Sequence, residues 1–158
     1  MIKVAIVMGS KSDLDTVKLT AEILKNFGVK YEVKVLSAHR TPKELEKYVH
    51  AAERKGVKVI IAAAGGSAAL AGVIASHTTL PIIGIPIETK SLKGLDSLLS
   101  TVQMPPGIPV ACMSIGSWGA KNAALFALQI LSLQDKKAKA KMSKYRRQMA
   151  QKVKNTKV

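Results

Sequence analysis

Several things are scarce in this chain, and each scarcity closes off a class of protein. There is one cysteine, Cys112, among 158 residues, so neither an internal disulfide nor a cysteine-based zinc site can form. Its apolar setting, Val110-Ala111-Cys112-Met113, predicts a buried thiol. Aromatic residues make up only 4% of the sequence. The core must then come from Val, Ile, Leu and Ala, as in a parallel sheet covered by helices. No apolar run reaches the length of a membrane span, and no charged-then-apolar leader opens the sequence. The expectation is a cytoplasmic protein with no membrane partner. Hydrophobic residues are 47% of the chain, enough for one core, and the length suits one domain.

Acidic residues are also few, 10 against 25 Lys and Arg, for a net charge of +15. The imbalance is local. Residues 136–158 hold ten Lys/Arg and no acid, which leaves 15 basic and 10 acidic residues in the first 135. Such a tail can bind nucleic acid. After an ordinary globular body, a solvated helix or a subunit-contact arm is the expectation, and nucleic acid is not the expected partner. Met142, Tyr145 and Met149 give the segment a thin apolar stripe at i, i+3, i+7.

The body reads as alternating strands and helices. Ile2 to Met8 is a nearly continuous apolar strand, followed by the loop Gly9-Ser10-Lys11-Ser12-Asp13. Leu14, Val17, Ala21 and Leu24 then recur at helical spacing until Gly28. Tyr31, Val33 and Val35 alternate with Glu32 and Lys34 as a second strand. It leads into Ser37-Ala38-His39-Arg40-Thr41-Pro42 and a helix running to about Lys55. Pro42 suits a first helical position, and Thr41 with Glu44 has the spacing of a capping box. Val57 to Ala64 is a third strand, opening into Gly65-Gly66-Ser67 and a small-residue helix from Ala68. Pro81 to Ile85 is a fourth strand, Leu95 to Val102 a helix, Ile108 to Ser114 a fifth strand, and Gly119 to Leu133 a fifth helix. Five β-α units in so short a chain predict an α/β, flavodoxin-like three-layer sandwich. Its parallel five-stranded sheet would have the order 2-1-3-4-5. No G-x-G-x-x-G follows the first strand and no P-loop signature appears.

In that order the loops after strands one, two and three are neighbours on one sheet edge, where open α/β sheets keep their ligands. They gather Gly9, Ser10, Ser12 and Asp13, then Ser37, His39 and Arg40, then Gly65, Gly66 and Ser67. Serine hydroxyls, helix N-terminal amides and a guanidinium suit a phosphate monoester, and Asp13 can accept hydrogen bonds from ribose hydroxyls. Taken singly, Ser12 or Asp13 reads as a plain helix cap, and the hexapeptide as a capped loop facing water. Convergence of all three loops favours a site. His39 is the only histidine on that edge. His50 reads as solvent-facing on a helix, and His77 lies near a helix end.

The segments from Val4 to about Leu131 resemble the N5-carboxyaminoimidazole ribonucleotide mutase and aminoimidazole ribonucleotide carboxylase family of purine biosynthesis. The resemblance rests on Met8 to Asp13, Ser37 to Pro42, Ala64-Gly65-Gly66, Gly94 to Ser100, Gln103-Met104-Pro105 and Asn122 to Leu125, in that order. It implies a catalytic domain over residues 1–135 and a homo-octamer, with no metal and no organic cofactor. It places substrate binding on Ser10, Asp13 and Arg40, supported by Ser12, Ser37 and the Gly65-Gly66 loop, and makes His39 the catalytic acid/base. The substrate implied is a phosphorylated aminoimidazole ribonucleotide, with CO2 as the group moved.

One stretch departs from the family pattern. Where mutases usually carry His and Pro after strand three, this chain has Ala69 and Ala71. Its Ser-Ala-Ala-Leu-Ala-Gly leans locally toward the branch that takes free CO2, whereas Gly94 to Ser100 and Met104 to Val110 look like the mutase branch. The mutase is preferred, with the carboxylase as the alternative. A flavin-mononucleotide electron carrier on the same fold would want aromatic walls, and the edge offers only Trp118. A tail-driven nucleic-acid binder would lose its binding with residues 136–158.

Overall fold

In the computed structural model, which describes residues 1–156, the most apolar strands lie at the centre of a single sheet. β1 (Val4–Met8) is buried along its whole length. β4 (Ile82–Pro86) is buried throughout as well, and β3 (Val59–Ala64) in all but its last residue. β2 (Tyr31–Val35), with its alternating charges, takes one edge and β5 (Ala111–Cys112) the other. All pairings are parallel and the order is β2-β1-β3-β4-β5, as the alternation of elements predicted.

Strand periodicity sorts the side chains into two cores. Val4, Ile6, Met8, Ile61 and Ile85 face α1 (Leu14–Asn26), α5 (Gly116–Ser132) and α6 (Lys136–Lys154). Ala5, Val7, Ile60 and Ala62 face α2 (Pro42–Arg54) and α3 (Leu70–Ser76). The sheet is thus the middle of three layers. α4 (Leu95–Val102) leans on β4, where Gly84 leaves no room for a side chain beside Thr101.

The structure corrects several expectations. The fifth strand is two residues long instead of running from Ile108 to Ser114. Pro109 has no N–H for a ladder, and the positive φ of Gly107 (96°) turns the chain just before it. Cys112 is half-buried at this short edge strand; burial raises its thiol pKa, and its Sγ lies 3.4 Å from the Met113 carbonyl. The helix after Gly65-Gly66 begins at Leu70, not Ala68. Thr41 does not form a capping box with Glu44. Its hydroxyl instead accepts from the Ser37 N–H (2.9 Å) and donates to the Ser37 carbonyl (3.1 Å), which closes the 37–41 turn on itself.

Lys136–Lys154 of the basic segment form α6, which packs on its own chain. Met142 is buried in the first core and the Tyr145 ring meets Phe27 edge-on at 5.6 Å. Lys141 Nζ donates to the Phe27 carbonyl at the end of α1, 3.1 Å away. Met149, the third member of the stripe, is exposed. No helix among the described residues is long and apolar enough to cross a membrane.

Candidate active site

Strands β1 to β4 end level with one another: Met8 is paired with both Val35 and Ala63, and Ala64 with Pro86. The loops that leave them therefore rise from one edge and enclose an open cavity of about 460 Å³. That volume lies in the range of small-molecule sites. Gly9, Ser10, Ser12, Asp13, Ser37, His39, Arg40, Gly65 and Ser67 all line it. These residues come from positions as far apart as 9 and 67 and meet only because the parallel order sets their strands side by side.

The first loop forms a single 3-10 turn, Lys11–Asp13, capped by Ser10. Ser10 Oγ accepts from the Ser12 N–H (3.3 Å), while Asp13 Oδ2 accepts from the Ser10 N–H (3.2 Å). This is a reciprocal capping box, but built on Ser10 and Asp13. The Ser12 hydroxyl donates to Asp13 Oδ1 at 3.1 Å. Asp13 is 7% exposed. Burial raises its pKa above the usual carboxylate value, opposed by the hydrogen bonds from Ser12 and Ser10 and by the Arg40 charge. Each carboxylate oxygen has a second lone pair, so Asp13 can still accept from a ligand hydroxyl.

Arg40 links the first two loops. Its Nη2 donates to the Gly9 carbonyl at 2.7 Å and its Nε to Ser37 Oγ at 3.4 Å. The Arg40 N–H also donates to Ser37 Oγ (3.2 Å). With two contacts holding the fork in place, the remaining guanidinium donors are oriented before any ligand arrives. His39 is exposed on the same tightened turn and lines the cavity.

Gly66 behaves differently from the expectation. It does not line the cavity. Its N–H donates to Ser97 Oγ at 2.9 Å, and Ser97 in turn donates to the Ile87 carbonyl at 2.7 Å. Gly66 has a φ of 68°, a left-handed conformation that costs glycine little. It shapes the loop, while Gly65 and Ser67 face the ligand space.

The cavity also has walls that sequence reasoning did not assign: Ala69, Leu70, Ile87, Glu88 and Thr89. Thr89 is held by Asp96, whose Oδ1 accepts from its hydroxyl at 2.8 Å. Ser97 and Asp96 lie in the Gly94–Ser100 stretch that carried part of the family resemblance. That resemblance was the signal of their importance, since no spacing rule links Ser97 to Gly66, 31 positions away. No Phe, Tyr or Trp lines the cavity, and Trp118 is exposed elsewhere, at the start of α5. A flavin ring would find no aromatic wall here.

Comparison with known proteins agrees with this geometry. Residues 3–152 match the family model described as AIR carboxylase. The N5-carboxyaminoimidazole ribonucleotide mutase of Pyrococcus abyssi is 58% identical over 94% of this chain and 84% of its own. The protein of the same name from Saccharolobus solfataricus is 52% identical over 100% of this chain and 99% of its own. The crystal structure of Treponema denticola PurE superposes with a TM-score of 0.88 at 33% identity, covering 97% of this chain and 94% of that one. The match spans both the strand order and the loops that build the cavity, and this chain belongs to the AIR carboxylase family.

Proposed function

We propose that this chain is an N5-carboxyaminoimidazole ribonucleotide mutase of purine biosynthesis, with His39 as its acid and base. The observation that carries the reading is the convergence of Ser10, Asp13, Ser37, His39 and Arg40 around one cavity at the strand ends. Arg40 and the serine hydroxyls hold the substrate phosphate, and Asp13 accepts from the ribose hydroxyls. The Gly65 amide and the Ser67 hydroxyl complete the cradle.

The reaction moves a carboxylate from the exocyclic amine to ring carbon C4. As the bond between nitrogen and the carboxylate carbon breaks, its electron pair stays on nitrogen, which takes a proton from the His39 imidazolium. The CO2 released is held beside the enamine-like ring, and C4 attacks its carbon. The neutral His39 then removes the C4 proton, which restores the aromatic ring and the imidazolium together. One proton is lent and recovered, so the cycle closes on a single imidazole acting first as acid and then as base.

The alternative, carboxylation by free CO2, rested on Ala69 and Ala71. Ala69 lines the cavity but Ala71 is buried in the core, and relatives at 52% and 58% identity carry the mutase name. The mutase reading is therefore kept. It extends to a cytoplasmic homo-octamer whose catalytic unit is residues 1–135, with segment 136–158 as an assembly arm. Exposed Leu92, Leu95, Leu99, Val102 and Trp118 supply apolar surface for subunit contacts.

The test uses substrate labelled in the N-carboxyl group, incubated with unlabelled bicarbonate. Retention of label at C4 supports the mutase. Conversion only of the uncarboxylated nucleotide, dependent on bicarbonate, would replace it with the carboxylase. His39→Asn should bind the nucleotide and be nearly inactive, and near-normal turnover would remove His39 from the mechanism.

A further inference from the structure

His50 and His77 are 27 positions apart in sequence, yet the fold brings their rings to 6.1 Å, edge to face. Glu46 lies one helical turn before His50 on α2, so its carboxylate projects from the same face. The donor atoms of Glu46, His50 and His77 all lie within 4.8 Å of one another. His77 closes the C-terminus of α3 and precedes β4, which puts the cluster at the sheet edge opposite the catalytic cavity. Its placement is not left to the side chains alone. The adjoining Thr78 hydroxyl donates to Glu53 on α2 at 3.1 Å, tying this turn to the helix. Among the described residues, Glu46 makes no ion pair.

We propose that Glu46, His50 and His77 form a binding site for a divalent first-row transition cation, Zn2+ being the probe of choice. Two imidazoles and one carboxylate are borderline donors that suit zinc and its neighbours better than Mg2+ or Ca2+. Tetrahedral zinc with bonds of about 2.0–2.1 Å needs donors roughly 3.4 Å apart. Glu46 and His50 are exposed, so their side chains are free to turn toward an ion. Water completes the shell. The bound ion would clamp α2 to the α3–β4 turn, a structural role separate from catalysis.

The experiment is equilibrium dialysis of the full-length, assembled protein against Zn2+, with metal analysis, alongside thermal unfolding with and without the ion. One Zn2+ per chain is expected, with a higher midpoint in its presence, because a ligand that binds the native state stabilises it. In His50→Gln and His77→Gln, zinc affinity should fall by roughly tenfold or more and the thermal shift should vanish, since each removes a ligand. His39→Asn and Cys112→Ser should retain both, and His50→Gln should keep normal mutase turnover. If the wild-type protein takes up no Zn2+ at tens of micromolar, or if the double variant His50→Gln/His77→Gln binds as the wild type does, the proposal is wrong.

Discussion

Ser97 offers the sharpest test of how the cavity is held together. Its side chain is fully buried, accepts from the Gly66 N–H and donates to the Ile87 carbonyl. It joins the loop after β3 to the end of β4. Ser97→Ala removes one atom and leaves a donor and an acceptor without their partner. Each such loss costs about 1–3 kcal/mol in a buried setting, less where water can reach. Gly66 and Ile87 are only half-buried, so the low end applies to each and the expected total is about 2 kcal/mol. With a urea m-value of about 2 kcal/mol/M, the unfolding midpoint should fall by roughly 1 M. Protein concentration must be held constant, because any assembly contributes to the midpoint. The catalytic readout is separate. A loosened Gly65–Ser67 loop should lower kcat/KM by roughly tenfold or more, since misplaced contacts forfeit orientation. A midpoint within 0.2 M of wild type (about 0.4 kcal/mol), together with unchanged kcat/KM, would refute the role given to Ser97.

Arg40→Ala should mainly raise KM, by roughly 10- to 100-fold, because charge-assisted hydrogen bonds worth about 1.5–3 kcal/mol bind ground and transition states alike; a loss confined to kcat would contradict this. Asp13 has a raised pKa in the folded state, so the folded form holds its proton more tightly than the unfolded chain does. The stabilisation from that proton is complete below the ordinary carboxylate pKa and is lost as pH rises through the raised value. Asp13→Asn should therefore unfold at a higher temperature than wild type at pH 7, with the gap narrowing on acidification, while KM rises. A gap that widened in acid would reverse the sign assigned to burial. Deleting residues 136–158 should weaken assembly and also lower the stability of the subunit, because Met142 alone buries a side chain worth about 1.5–3 kcal/mol. An unchanged molecular mass and an unchanged denaturation midpoint would together count against both parts.

The apolar runs at Val4–Met8 and Val59–Ala64, separated by helical periodicities, were sufficient to foretell a parallel sheet and its order. The reason is local: strand and helix periods are written residue by residue, and short βαβ connections leave few topologies. The polar loops at 9–13, 37–42 and 65–67 were legible for the same reason, since strand ends locate them. Other features depended on which of several available partners a side chain met, some near and some far along the chain, and spacing alone does not encode that choice. Thr41 and Glu44 had the spacing of a capping box, yet the Thr41 hydroxyl turned to Ser37, and the real box formed on Ser10 and Asp13. Ser97 bonds a glycine 31 residues away. His50 and His77 looked unrelated until α2 and the end of α3 were set side by side. α6 could be foretold as a helix from its composition, but its docking depended on Met142 and Tyr145 finding α1 and α5. Hydrogen-bond partners and helix-to-helix contacts are chosen by proximity in space, and only the folded chain sets that proximity.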